Sequence, residues 1–103
     1  MHLKLSPRTR QLVEKIFQPN DVPEAVLWLE VECGNNLPFC EKDDEFCMER
    51  IRFAALKLSK GDMLKLLAAI DLVRMDWRDL FMSADFGYDV EAHNQWAKEV
   101  LDS

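Results

Sequence analysis

Apolar residues recur along this chain at helical spacing, and the alternation a half-buried strand needs is hard to find. The densest run, L-S-K-G-D-M-L-K-L-L-A-A-I-D-L-V-R-M-D-W-R-D-L, occupies 58–80. At about 100° per residue, Met63, Leu66, Leu67, Ile70 and Val73 share one face. Leu64, Ala68 and Leu72 fall roughly opposite, so only Lys65, Asp71 and Arg74 interrupt the apolar surface with charge. Ser59 and Asp62 stand at the spacing of a reciprocal helix cap. A helix apolar on nearly all sides is buried by neighbours from several directions. The pattern predicts a buried central helix over about 60–74.

The other segments read as helices packed around it. Ser6-Pro7 starts the first, with Leu12, Val13, Ile16 and Phe17 inward, Arg8, Arg10, Glu14 and Lys15 in water, and Pro19 ending it. Asp21 and Glu24 cap a second over about 22–33, which closes at Gly34. Its inner face is Val22, Ala25, Val26, Leu29 and Cys33, and Leu27 and Val31 form a smaller outward pair that a later helix or a partner must cover. Residues 35–42 connect, and Asp43 or Asp44 opens a longer helix through 58. That helix has a main face of Cys47, Ile51, Ala54, Ala55 and Leu58 and a second strip of Phe46 and Phe53. Asp76 and Asp79 cap a short helix to about 84, turning Leu80 and Phe81 inward. Asp89 caps the last, whose stripe is Val90, His93, Ala97, Val100 and Leu101 with Trp96 beside it. The expected fold is all-α, a single domain over 1–103 built as a compact bundle or orthogonal array of five to six helices.

Composition narrows the class. The 103 residues can bury a core without metals or disulfides as staples. The net charge of −6 argues against nonspecific nucleic-acid binding, which needs a basic surface. Residues 18–49 hold nine acids against Lys42 alone, a block able to steer a basic partner or simply to be solvated. No run reaches the ~18 apolar residues of a membrane span. Three cysteines leave an odd thiol, and 1–7 lack a secretory apolar segment; together these give the expectation of a reducing, cytoplasmic setting.

Four stretches carry a resemblance: Glu49-Arg50-Ile51-Arg52-Phe53, Leu58-Ser59-Lys60-Gly61-Asp62, Asp76-Trp77-Arg78-Asp79-Leu80, and Ala92-His93 with Trp96. Over about 32–97 the chain resembles a group of short, uncharacterised bacterial all-helical proteins. The resemblance implies a bacterial origin and supplies no activity, cofactor or site residue.

Candidate chemistry is sparse. Cys33, Cys40 and Cys47 are seven residues apart, whereas zinc sites draw thiolates from a tight turn. A metal protein or enzyme would have to bring Cys40, His93 and acids together, and His2 or His93 would have to complete a metal site from far along the chain. His93 on an apolar stripe reads as a packed residue, and neither a nucleophile triad nor a glycine-rich phosphate loop is visible. A DNA-reading helix over 77–84 fails on charge. The reading is therefore a noncatalytic interaction module without cofactor or metal, acting as a homodimer or on a protein partner. An acidic immunity- or antitoxin-like inhibitor of a basic toxin is one alternative, and a small metal-binding protein or enzyme using Cys40 and His93 is the other. Leu27, Val31, Phe46, Phe53, Trp77 and Arg78 are the candidate interface residues, the last two because tryptophan and arginine dominate interface hot spots.

Overall fold

The computed structural model describes residues 5–32, 45–87, 89 and 91–102; residues 45–47 and 77 are described by their helical place alone. Six helices follow in order: α1 (Pro7–Ile16), α2 (Val22–Glu32), α3 (Glu45–Ser59), α4 (Met63–Met75), α5 (Trp77–Ser83) and α6 (Ala92–Asp102). The described residues form an all-α bundle, 31 × 29 × 23 Å, with no strand among them. The closure of α2 at Gly34, the connection over 35–42 and the three cysteines lie outside the described side chains.

Short polar side chains set the starts. Ser6 Oγ accepts from Thr9 N at 3.2 Å, with Pro7 in the first turn. Asp76 Oδ1 accepts from Arg78 N at 3.0 Å, and Asp89 Oδ1 from Glu91 N at 2.9 Å just ahead of α6. The long apolar run starts its helix later than the Ser59 spacing implies. Ser59 is instead the last residue of α3, its Oγ donating to Leu56 O at 2.6 Å. Asp62 is the cap of α4, accepting from Leu64 N and Lys65 N. Between them Lys60 and Gly61 take φ of +50° and +80°, the left-handed turn that ends one helix and admits the next. Gly61 is needed there for a second reason. A Cβ on it would sit 2.7 Å from the carbonyl oxygen of Ile16, so only glycine lets this turn close on the end of α1.

The most enclosed rod is α3, and this corrects the expectation of a buried central helix over 60–74. Residues 51–56 are buried without interruption, and six consecutive residues exceed one full helical turn, so α3 is covered on every side. Four helices do the covering: α1, α4, α5 and α6 all pack on it. Arg52 is 3% exposed within that run, a charge the apolar pattern did not assign to the interior. By contrast α4 buries Leu66, Ala69, Ile70 and Val73 and leaves its opposite flank wet, with Leu64 78% and Met75 82% exposed. The remaining inward assignments hold for Leu12, Val13 and Phe17 of the first segment, Ala25, Val26 and Leu29 of α2, Leu80 and Phe81 of α5, and His93 and Ala97 of α6.

Candidate interaction surface and an inlaid polar cluster

Two features depart from a plain apolar core. Where α1, α3 and α6 meet, polar groups are folded inward. The Arg8 guanidinium donates to both Glu49 Oε1 and Asn94 Oδ1, so one side chain ties three helices. Ser6 Oγ, while capping α1, donates to Glu49 Oε2 at 2.7 Å and lies 2.7 Å from Thr9 Oγ1. Below this pair sits Phe53, fully buried, with the Arg8 guanidinium 5.0 Å from its ring centre. Around it His93 and Trp96 pack at 5.4 and 6.1 Å in tilted geometry, and Phe86 closes the box at 6.5 and 6.1 Å from the same two rings. His93 is fully buried, and burial pushes its pKa below the ordinary histidine value. Glu49 and Glu91 oppose that shift, while Arg8 and Arg50 reinforce it. Arg50 donates to Gly87 O at 3.1 Å and lies 4.1 Å over the Phe81 ring. Its pKa too is lowered by burial, with Asp89 acting the other way.

This cluster has the makings of a structural inlay. An open hollow of about 810 Å³ runs along the outer side of α6. Around it carboxylates and cations interleave, Asp85, Asp89 and Glu99 among Arg8, Lys57 and Lys98. Arg8 is engaged by Glu49 and Asn94, and Lys57 lies 5.1 Å over the Phe86 ring. No set of three His, Cys, Asp or Glu placed to hold a metal ion occurs among the described residues.

The second feature lies on the opposite pair of helices. α2 and α4 run side by side in the same sense. Both begin beside the end of α1, where Gly61 meets Ile16, and both end where Arg74 pairs with Glu32. Between them is a trough of about 290 Å³ lined by Trp28, Glu32, Leu67, Ile70, Asp71 and Arg74. At 100° per residue, Val31 and Leu27 follow Trp28 outward around α2, while Leu64, Met75 and Ala68 follow Asp71 outward around α4. Apolar residues thus flank the trough on both sides. Leu27 is 56% exposed and Val31 39%, beside Leu64 and Met75.

Of the six candidate interface residues, Leu27 and Val31 are where the pattern placed them, exposed together on α2. Among the described residues no helix covers them. Phe53 is a correction: it is wholly inside, because Arg8, His93 and Trp96 close over its ring. Arg78 is exposed at the start of α5, its Nε 3.4 Å from Asp76 Oδ1. The side chains of Phe46 and Trp77 lie outside the described residues, as do Cys40 and His2. Periodicity missed Leu64 and Met75, since an apolar residue on an apolar helix gives no sign of which flank is left wet. It missed Arg8 and Glu49 because a charged residue reads as solvated until its partner is known. Among the described residues no helix is long and apolar enough to cross a membrane. Comparison with protein-family models, with curated proteins and with solved structures finds no match.

Proposed function

We propose that this chain is a noncatalytic protein-interaction module that works through the α2/α4 face. One observation carries the reading: large apolar side chains stand exposed on both flanks of a single trough. Scattered exposed leucines need no explanation, but a shared strip beside a concave seam is the usual mark of a surface that is covered in use. The polar cluster on the other side supports the noncatalytic half of the reading. Its Arg8 is engaged by Glu49 and Asn94 across helices, and its histidine is sealed among rings with no exposed surface.

The test is a set of single substitutions at exposed positions read out by association. Leu27→Asp and Leu64→Asp should retain the circular dichroism and melting temperature of the parent, because neither removes a buried group. Each should abolish whatever assembly the parent shows by analytical ultracentrifugation or affinity capture. If the parent neither self-associates nor retains any protein, or if its complexes survive both substitutions, the reading fails.

A further inference from the structure

We propose that the occupant of the α2/α4 trough is a basic amphipathic helix supplied by another protein. The inference rests on the interaction reading above and adds the chemistry of the partner. Two parallel helices with a shallow seam present the surface into which a third helix lays its apolar face, anchored at i, i+3 or i+4, and i+7. The floor is apolar at Trp28, Leu67 and Ile70. The exposed side chains of Leu27 and Val31 on one flank and Leu64 and Met75 on the other give such anchors walls to pack against. Leu64 and Met75 are eleven positions apart, so the seam runs on the order of 16 Å, about three turns of a guest helix.

Charge selects the sign of that helix. The cation in the trough, Arg74, is already paired with Glu32. Asp71 on the α4 side and Glu24, one turn before Trp28 on α2, have no cation partner among the described residues; Glu24 only receives Trp28 Nε1 at 3.4 Å. α2 carries Glu24, Glu30 and Glu32 and no base, in a chain of net charge −6. Cations flanking an apolar stripe would meet Glu24 and Asp71 and be drawn in by the field of the whole molecule. A second copy fits worse. A two-fold contact would press this same acidic face against itself, with two chains of like charge behind it.

The experiment uses two synthetic peptides of about 14 residues, helical, with identical leucine anchors and either lysine or glutamate at every polar position. Titrated into the full chain, the lysine peptide should bind with a Kd on the order of 10 μM at low salt, and the glutamate peptide at least ~tenfold more weakly. Glu24→Lys with Asp71→Lys should reverse that preference. Glu99→Lys, an exposed charge on α6, should leave it within about twofold. Leu64→Asp should remove binding of both peptides. Equal affinity for the two peptides, binding of neither, or a preference untouched by the Glu24 and Asp71 reversals would overturn the inference. A parent chain that is itself a dimer, dissociated by Leu64→Asp, would overturn it too while leaving the interaction reading standing.

Discussion

Where α6 closes on α1 and α3, a half-buried ion pair lies over sealed rings: Arg8 reaches Glu49 and Asn94 above a buried Phe53, and His93 has no exposed surface. Where α2 lies beside α4, the arrangement is turned round, and Leu27, Leu64 and Met75 stand in water. The two regions differ in how many neighbours each helix has. α3 is covered by four helices, so even Arg52 is carried inside with it. α2 and α4 form one side of the bundle, and an apolar residue on their outer flanks has nothing among the described helices to pack against. Burying a paired charge is tolerable because each partner satisfies the other. Leaving an apolar strip exposed gives up the transfer free energy of every side chain in it. The fold places an interhelical charge pair on one side and an exposed apolar strip on the other.

The sharpest way to break that contrast is Phe53→Ala. It removes the ring on which Arg8, His93 and Trp96 converge, and unfolding free energy should fall by about 3–5 kcal/mol in denaturant titration. A loss below ~1 kcal/mol would mean the box is loosely packed and the two faces are alike. Next in size is Glu49→Ala, which strips Arg8 and Ser6 of an acceptor in a partly buried place. A loss of about 1–3 kcal/mol is expected. Arg8→Ala in the same background should cost less than Arg8→Ala alone, since the two act through one pair.

How far such features could be read in advance follows from the same geometry. Caps were readable because their chemistry is local: Ser6, Asp76 and Asp89 each satisfy an amide two or three residues away. The Leu27–Val31 pair was readable because Glu24 and Glu30 isolate it from the core stripe of α2. On α4 no charge separates the inner Leu66 from the outer Leu64, so periodicity marked both as core, and only the placement of neighbouring helices divides them. Arg8 and Glu49 are 41 positions apart, and no local pattern announces a pair formed across that distance. The cap that moved from Ser59 to Asp62 did so because Gly61 must lie against Ile16, a tertiary contact that fixes where α3 stops.

A smaller effect separates the faces by pH. His93 has its folded pKa held below its unfolded value of about 6.5, so below that pH the unfolded chain binds more protons. Its contribution is therefore present above about 6.5 and is lost as pH falls toward the lowered folded pKa. The slope is at most one proton, about 1.4 kcal/mol per pH unit. His93→Phe should flatten the profile below about pH 6.5 relative to the parent, with Glu49, Glu91, Arg8 and Arg50 left in place. A parallel profile in the variant would mean that His93 carries none of the acid sensitivity.

The smallest effect decides the most about the open side. Leu64→Asp and Met75→Asp alter side chains that are 78% and 82% exposed, so each should change unfolding free energy by less than about 0.5 kcal/mol in dilute monomer. Leu66→Asp, two residues from the first and fully buried on the same helix, should be severely destabilising, because it drives a charge into the α3/α4 contact. If Leu64→Asp instead costs more than ~2 kcal/mol at every protein concentration, the outer flank of α4 is buried within the single chain, and the trough is a filled seam. If the cost appears only as concentration rises, the flank is buried by association, and mass action separates that contribution from folding. Indifference of the isolated chain to a charge at position 64, beside intolerance at position 66, is the result that leaves the outer flank of α4 open in the single chain, as the interaction reading requires.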